Sequence, residues 1–324
     1  MSKWAVIACD QHSAEPEYWE AVETLVGDAP SSLHLMLPEA YLGQDRTDEI
    51  NVTMKRYLDG GIFRTIENSY IYIERTLSNG KVRKGLIGSV NLDEYDFSRD
   101  STSAIRATEG TVEERLPARI EIRKGAVLEM PHVMVFTQED IFDTVKCHEL
   151  LYDFDLNMGG GHLKGWRADA DASVLHALAI GDGNHSLATA KLCGSSWALV
   201  ELVDIRDPAI EFEPIHRVIF HSDVSEFEAP DFSECEGYAA IVNKAENYCR
   251  SYIAAHGGTI DYIHDDDRAM ELGSRPGCAA VLLPRLDKTK LFDCINRDGP
   301  FPKKSFSIGH AADKRYYLEC ATIN

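Results

Sequence analysis

The residues best suited to chemistry lie together at Gly181-Asp182-Gly183-Asn184-His185. An apolar run, Leu175 to Ile180, leads into them, and a helical pattern, Ser186 to Leu192, follows directly. Glycines at 181 and 183 allow positive φ and close approach of a ligand to the backbone. The first turn of a helix offers unpaired N–H groups and about half a unit of positive charge. A strand, a glycine turn and a helix start therefore predict an anion site for a phosphate group. Gly181, Gly183, Asn184 and Ser186 would line it. Asp182 and His185 would stand at its mouth as a base, a metal ligand or a phosphate donor. The same residues also fit a tight strand-to-helix turn capped by Asn184 or Asp182.

Other candidates are dispersed. Arg106, Glu109, Thr111 and Arg115 form a polar cluster, in which Thr111-x-x-Glu114 fits a capping box and Pro117 argues against a continuing helix. Lys303-Lys304-Ser305 follows Pro300-Phe301-Pro302 in a turn-rich stretch and offers either a solvated basic turn or a phosphate contact. His216 and Arg217 open the apolar run Val218-Ile219-Phe220, as strand-edge residues or as ligands. Gly159-Gly160-Gly161-His162, with Lys164, is a second glycine loop that could be an ordinary turn, a lid or a cradle. Asp10 and Glu39 each follow a predicted strand, where either carboxylate could serve as general base.

Placing these groups requires a scaffold. Apolar or alternating runs predict strands over Trp4 to Cys9, Ser32 to Leu37, Tyr70 to Arg75, Leu86 to Leu92, His132 to Thr137, Leu175 to Ile180, Ala198 to Ile205, Arg217 to His221, Ala279 to Leu283 and Tyr316 to Cys320. Helical spacing covers Pro16 to Val26, Asp48 to Leu58, Glu139 to Leu150, Ser186 to Leu192 and Tyr238 to Ala255. Gly60, Gly194 and Gly257 follow three of these, where left-handed caps belong. Without a strict β-α-β rhythm, the fold class is α+β or mixed α/β. The polar stretch Asp223 to Cys235, with Pro230, divides a main body, 1–222, from a smaller lobe, 223–324.

Composition narrows the function. Of 324 residues, 44% are hydrophobic and 27% charged, an ordinary globular balance. The formal net charge of -20 opposes duplex nucleic acid or an anionic membrane as the main partner. A small phosphate-bearing ligand at a local basic patch is compatible with it. The short run before Asp10 is not a signal peptide, and no later run would span a bilayer, so a cytoplasmic location is expected. The 8 scattered cysteines include no C-x-x-C pair and are expected to be reduced thiols.

The central segment resembles the D-G-H-H-R box of a bacterial family, domain of unknown function 1015. It is more distantly similar to the G-E-R-R box of the ParB and sulfiredoxin-like superfamily. Further points of resemblance follow in order: Ala8-Cys9-Asp10, Ser32-Leu33-His34-Leu35 with Pro38-Glu39, Gly85-Leu86-Ile87-Gly88 with Tyr95, Ile105 to Thr111 with Glu114-Arg115, Pro214-Ile215-His216-Arg217, and Pro302-Lys303-Lys304-Ser305. The superfamily includes nucleotide-binding partition proteins, sulfiredoxins and free-serine kinases. The resemblance implies a ParB/sulfiredoxin-like core that handles nucleotide phosphates. One implied activity is transfer of a phosphoryl group from ATP or another nucleotide, with Mg²⁺ bridging to Asp182 or Glu109, to a small hydroxylated metabolite such as a free amino acid. The other is a nucleotide-binding regulatory module without turnover. Ser186 stands where the box usually ends in arginine, and Thr108 where histidine precedes the glutamate; Arg106 and Arg217 are candidates for the missing charge.

Overall fold

The computed structural model describes residues 1–7, 12, 15–41, 44–110, 116–130, 133–309 and 313–323. The chain divides into two compact units, one of residues 1–107, 111–210 and 310–324, the other of 108–110 and 211–309. The polar stretch 223–235 thus lies inside the second unit rather than at its border, and the last fifteen residues return to the first.

In the first unit the chain runs through β1 (Val6–Ile7), α1 (Pro16–Val26), α2 (Thr47–Asp59), β2 (Tyr70–Thr76), β3 (Val82–Asn91), β4 (Tyr95–Asp96) and β5 (Ile105–Ala107). It continues with α3 (Leu116–Gly125), β6 (Leu128–Glu129), β7 (Met134–Thr137), β8 (Lys146–Asp155), β9 (His162–Asp169), β10 (Leu178–Asp182), α4 (Asn184–Leu192) and β11 (Trp197–Asp204). The second unit holds β12 (Phe212–Pro214), β13 (His216–Phe220), α5 (Tyr238–His256), β14 (Thr259–Ile263), α6 (Asp266–Gly273), β15 (Ala279–Val281), α7 (Leu291–Asp298) and β16 (Phe306–Ile308). Back in the first unit, β17 (Tyr316–Tyr317) pairs with β1, and β18 (Ala321–Thr322) with β6.

A nine-stranded sheet, in the order β4-β5-β10-β7-β11-β3-β2-β9-β8, organises the first unit. Three pairings, β4/β5, β5/β10 and β7/β11, are parallel and the others antiparallel, so the class is mixed α/β. Alternation sends Ile105, Val135, Ile180, Val200 and Leu202 to one face, where Leu187 and Ala190 of α4 pack on them. The opposite face presents Ile73, Ile87, Leu163 and Leu199 to Trp19, Val22 and Val26 of α1 and to Tyr316 and Leu318. In the second unit, β13 lies between β14 and β15 in an antiparallel sheet, and β12 pairs with β16.

Several elements differ from the expectation. Ser32 to Leu37 is not a strand: Ser32–Leu35 is a 3₁₀ turn, because the Ser31 hydroxyl accepts from the Leu33 N–H at 3.2 Å and caps it. Glu139 to Leu150 is not a helix. A 3₁₀ turn, Ile141–Thr144, leads into β8, a sheet-edge strand whose exposed first half lacks an alternating signal. Helix α3 forms despite Pro117, which occupies its first turn, where no N–H is required of it. Gly194 and Gly257 have positive φ, but Gly60 does not; Gly61 takes that role after α2.

On the α1 face the sheet buries charge. Arg75 and Arg83 are cross-strand neighbours, and both are almost wholly buried. Glu201, fully buried on β11, lies 3.3 Å from Arg83 Nε without hydrogen-bond geometry and accepts from Arg315 Nε at 3.0 Å. Arg315 also donates to Glu319 at 2.9 Å, and the Tyr152 hydroxyl donates to the other Glu319 oxygen. Arg75 donates to the carbonyls of Gly160, Asp313 and Lys314, and Arg83 to that of Asp313. Burial, and then the Arg83 charge, push the Arg75 guanidinium below the ordinary arginine range. A Cβ on Gly85 would fall 2.7 Å from a Glu201 oxygen, so the carboxylate occupies space that only glycine leaves.

The glycine loop of residues 159–161 joins β8 to β9 and is wedged into this region. A Cβ on Gly160 would strike the Tyr316 ring, and one on Gly161, at φ +83°, would strike the Thr76 carbonyl. The loop is therefore a packed hairpin end. His162 beside it contacts Asp155 at 2.6 Å and Asp153 at 2.7 Å, and Lys164 contacts Asp153 at 3.0 Å.

Two outcomes follow from these contacts. Replacing Glu201 by Gln leaves two buried guanidiniums short of countercharge and should cost roughly 3–5 kcal/mol. A shift of the urea midpoint at constant slope reads it, and a loss below about 1 kcal/mol would remove the network from the stability argument. The hydrogen bond that the protonated ring donates to the Asp155 carboxylate, and then that to Asp153, raises the His162 pKa above its ordinary 6.5. The protonated imidazole thus favours the folded hairpin below pH 6.5, and that contribution is lost as pH rises through the raised value. Amide exchange near residues 155–162, corrected for intrinsic rates, should accelerate across that window, and His162→Gln should abolish the change.

Candidate functional site

Strand β10 runs parallel to β5 and antiparallel to β7, and a bulge interrupts the second pairing. Ala179 faces Phe136 and Ile180 faces Val135, yet Met134 is met by Asp182, leaving Gly181 as the extra residue. Cross-strand partners share a face, so the bulge brings Asp182 to the face of Ala179 and of its β5 partner Arg106. That face carries Glu201 and residues 313–318. Both glycines have packing reasons. A Cβ on Gly181 would enter the Phe136 ring, and one on Gly183 would lie 2.9 Å from the Val133 Cα. Gly183, at φ +85°, is also the left-handed residue that starts α4.

At this junction one Asp182 carboxylate oxygen accepts the Gly183 N–H at 2.8 Å. The other lies 3.4 Å from the Lys314 ammonium. The Asp182 side chain is 36% exposed and that of Lys314 is 12% exposed, so the pair borders solvent instead of being sealed in the core. Ser186 and Leu187 direct their N–H groups at the Gly183 carbonyl, closing the first turn of α4. Asn184 is buried, and its side-chain carbonyl oxygen has no hydrogen-bond partner among the described residues. His185 and Ser186 are partly exposed. Arg106 directs its Nε to the Ser103 carbonyl at 3.0 Å. Lys314 escaped the sequence reading because its only signal, a Lys-Arg pair after Asp313, lies 132 residues from Asp182.

The second unit collects most of the remaining candidates around one turn. A Glu109 oxygen accepts the Lys304 N–H at 2.9 Å, and Thr108 accepts the Phe301 N–H at 2.7 Å. The Ser305 hydroxyl is buried and donates to the Pro302 carbonyl at 2.6 Å. Lys303 and Lys304 are exposed, and Lys304 has φ +59°. Arg217 is fully buried. It donates to the carbonyls of Ile215 and Lys304, reaches Glu246 at 3.3 Å and lies over the Tyr262 ring. His216 is buried too. Its Nδ1 accepts the Leu283 N–H at 3.0 Å, so Nε2 carries the proton and donates to Asp266 at 2.8 Å. Arg217 and His216 thus brace the turn and the start of α6. Asp10 and Arg115 lie outside the described residues; Glu39 begins a 3₁₀ turn, Glu39–Tyr41, and its side chain also lies outside them.

Among the described residues no group of three or more His, Cys, Asp or Glu is arranged to hold a metal ion. No described helix is long and apolar enough to cross a membrane. A cavity of about 230 Å³ adjoins the β10–α4 junction within the first unit, and Ser186 and Leu187 form part of its wall.

The large mixed sheet with its β10–α4 junction defines a mixed α/β protein with a candidate anion site at a strand end. The chain belongs to the family described as "Protein of unknown function (DUF1015)", whose model matches residues 1–289. No curated protein matches it. Among solved structures it is similar to a free serine kinase in complex with AMP, at 12% identity and a TM-score of 0.45, over 75% of this chain and 92% of the kinase. A conserved hypothetical protein from Pyrococcus furiosus matches at 11% identity and a TM-score of 0.38, over 75% of this chain and 96% of that one. SbnI with a C-terminal truncation, from Staphylococcus aureus, matches at 10% identity and a TM-score of 0.38, over 69% and 82%.

Proposed function

We propose that this chain is a nucleotide-dependent phosphotransferase that acts on a small hydroxylated metabolite, such as a free amino acid, at the β10–α4 junction. The observation that carries the reading is the Asp182–Lys314 pair at the first turn of α4. A carboxylate and an ammonium 3.4 Å apart beside a helix N-terminus supply the two functions that phosphoryl transfer needs from a protein. Lys314 and the start of α4 neutralise phosphate charge. Asp182 accepts the proton of the attacking hydroxyl as its oxygen bonds to phosphorus and the bond to the nucleotide's bridging oxygen breaks. His185, one turn position on, orients that hydroxyl. Mg²⁺ would arrive with the nucleotide and take most of its ligands from phosphate and water, and Asp182 could supply a carboxylate ligand.

We read the mixed sheet as a ParB/sulfiredoxin-like core on the strength of the Gly181 to Ser186 segment. The turn bearing Glu109, Lys303, Lys304 and Ser305 is a separate phosphate-binding candidate within the second unit. Ser186 favours one competing reading, a nucleotide-binding regulatory module. It puts a hydroxyl at a cavity wall where the family box ends in a guanidinium.

Thermal unfolding with ATP, ADP and inorganic phosphate, with and without Mg²⁺, tests binding. A ligand at a hundred times its Kd stabilises by about 2.7 kcal/mol. Phosphorus NMR with pooled amino acids then separates transfer from binding alone. Asp182→Asn keeps the oxygen that caps Gly183 and should lower turnover by roughly 10²–10⁴-fold with little change in melting temperature. Near-normal turnover in Asp182→Asn discards Asp182 as the base, and binding without transfer favours the regulatory module.

A further inference from the structure

The cavity beside α4 opens on one side to solvent, and its apolar wall includes Leu35, Met54, Ile122, Met130, Val133 and Leu187. Its wall includes the first turn of α4 through Ser186 and Leu187, while Asp182, His185 and Lys314 lie outside its lining. Val133 is the residue that a Cβ on Gly183 would strike, and Ser186 and Leu187 belong to the first turn of α4. Its other polar lining residues are Arg119, Thr189, Tyr317 and a pair, Arg123 and Glu129, that satisfy each other. Arg123 donates to Glu129 at 2.7 Å and to the Ser195 hydroxyl at 2.9 Å, and the second Glu129 oxygen accepts the Leu199 N–H at 2.7 Å. What they leave is largely hydrocarbon, and two methionines, Met54 and Met130, give it walls that repack around differing shapes.

Size then decides the occupant. An apolar cavity of roughly 150 Å³ stays dry and accommodates benzene. Pockets for drug-sized ligands run to about 300–1,000 Å³. A space of about 230 Å³ lies between them and suits an apolar group of Leu-to-Phe scale. The side chain of serine would leave most of the lining atoms without contact partners, forfeiting dispersion energy along the whole wall.

We infer that this cavity is the acceptor pocket, and that the acceptor is a hydroxylated metabolite bearing a compact apolar or aromatic side chain, not one of serine's size. The acceptor role rests on the phosphotransferase reading; binding of an apolar group in the cavity does not. In this pose the side chain enters between α2, α3 and α4, and the hydroxyl is directed toward Ser186, the lining residue nearest in sequence to Asp182.

Benzyl alcohol serves as the neutral probe and L-serine as the polar control, each titrated by thermal unfolding of the whole chain beside ATP and inorganic phosphate. A saturable upshift with benzyl alcohol, at a Kd near or below about 1 mM, is expected, with none from serine at the same concentration. Ala190→Leu fills the cavity from α4 and should weaken the probe at least tenfold while ATP binding persists. Ala118→Phe, at an exposed lining position on α3, asks the same question should the buried substitution prevent folding. No upshift with benzyl alcohol, or equal affinity in the filled variants, overturns the inference. A shift with ATP but not with benzyl alcohol removes the apolar pocket and leaves the phosphotransferase standing. A shift with benzyl alcohol but with neither ATP nor phosphate keeps the apolar site and overturns the acceptor role.

Discussion

Glu201 is the constraint around which the first unit is built. It sits in the middle of a nine-stranded sheet, fully buried, with Arg83 on one side and Arg315 on the other. Three buried guanidiniums, those of Arg75, Arg83 and Arg315, are held by the carboxylates of Glu201 and Glu319 and by the main-chain carbonyls of Gly160, Asp313 and Lys314. Desolvating so many ions is expensive, and a hydrocarbon core of equal volume is often as stable. What such a group does impose is a single arrangement. Arg75 and Arg83 need the carbonyls of residues 313 and 314, so the polypeptide must return to the sheet after 309 and lie along one face of it.

That return explains the candidate site. Lys314 is the residue whose own carbonyl Arg75 grips, and its ammonium reaches Asp182 at 3.4 Å. Asp182 in turn is brought to the same face only because Gly181 is a bulge. A strict two-residue alternation would leave Asp182 on the Ile180 side, among Val135 and Leu187. An unpaired carboxylate there would be costly. The pair is thus assembled by two independent backbone devices, one at a strand end and one in a segment held by buried arginines.

The legible part of the architecture was the part carried by local signals. Helix α1 matched its expected bounds, because Trp19, Val22 and Val26 repeat at helical spacing behind a proline start. The glycine segment between a strand and a helix was readable for the same reason. Edge and surface elements were not. Strand β8 exposes most of its first half, and α3 carries Pro117 as its second residue, a first-turn position that no pattern of hydrophobicity reveals. The switch of Ser32–Leu35 from strand to turn depended on a single serine hydroxyl. At the candidate junction, Asp182, Gly183 and Asn184 are neighbours in sequence and can be nominated from it, whereas the Lys314 contact with Asp182 is long-range and only the fold creates it. His216 and Arg217 looked like ligands because polar residues opening an apolar strand are conspicuous. In the fold their nitrogens hold Asp266, Glu246 and the backbone of residues 215, 283 and 304.

The glycines at 181 and 183 carry a further physical lesson. Glycine in such a segment suggests room for a ligand, but here each glycine first makes room for the protein: Phe136 fills the space above one and Val133 the space beside the other. The two explanations reinforce each other. Because β7 packs directly against the bulge, the Asp182 side chain is set by sheet geometry instead of by a mobile loop, and α4 begins at a defined point. Electrostatic groups fixed before a ligand arrives need little reorganisation when charge develops near them, which is what makes them effective. A phosphate site built from this junction would thus owe its precision to the hydrophobic contacts on its far side. Enlarging either glycine would disturb the site through the sheet before it touched any ligand.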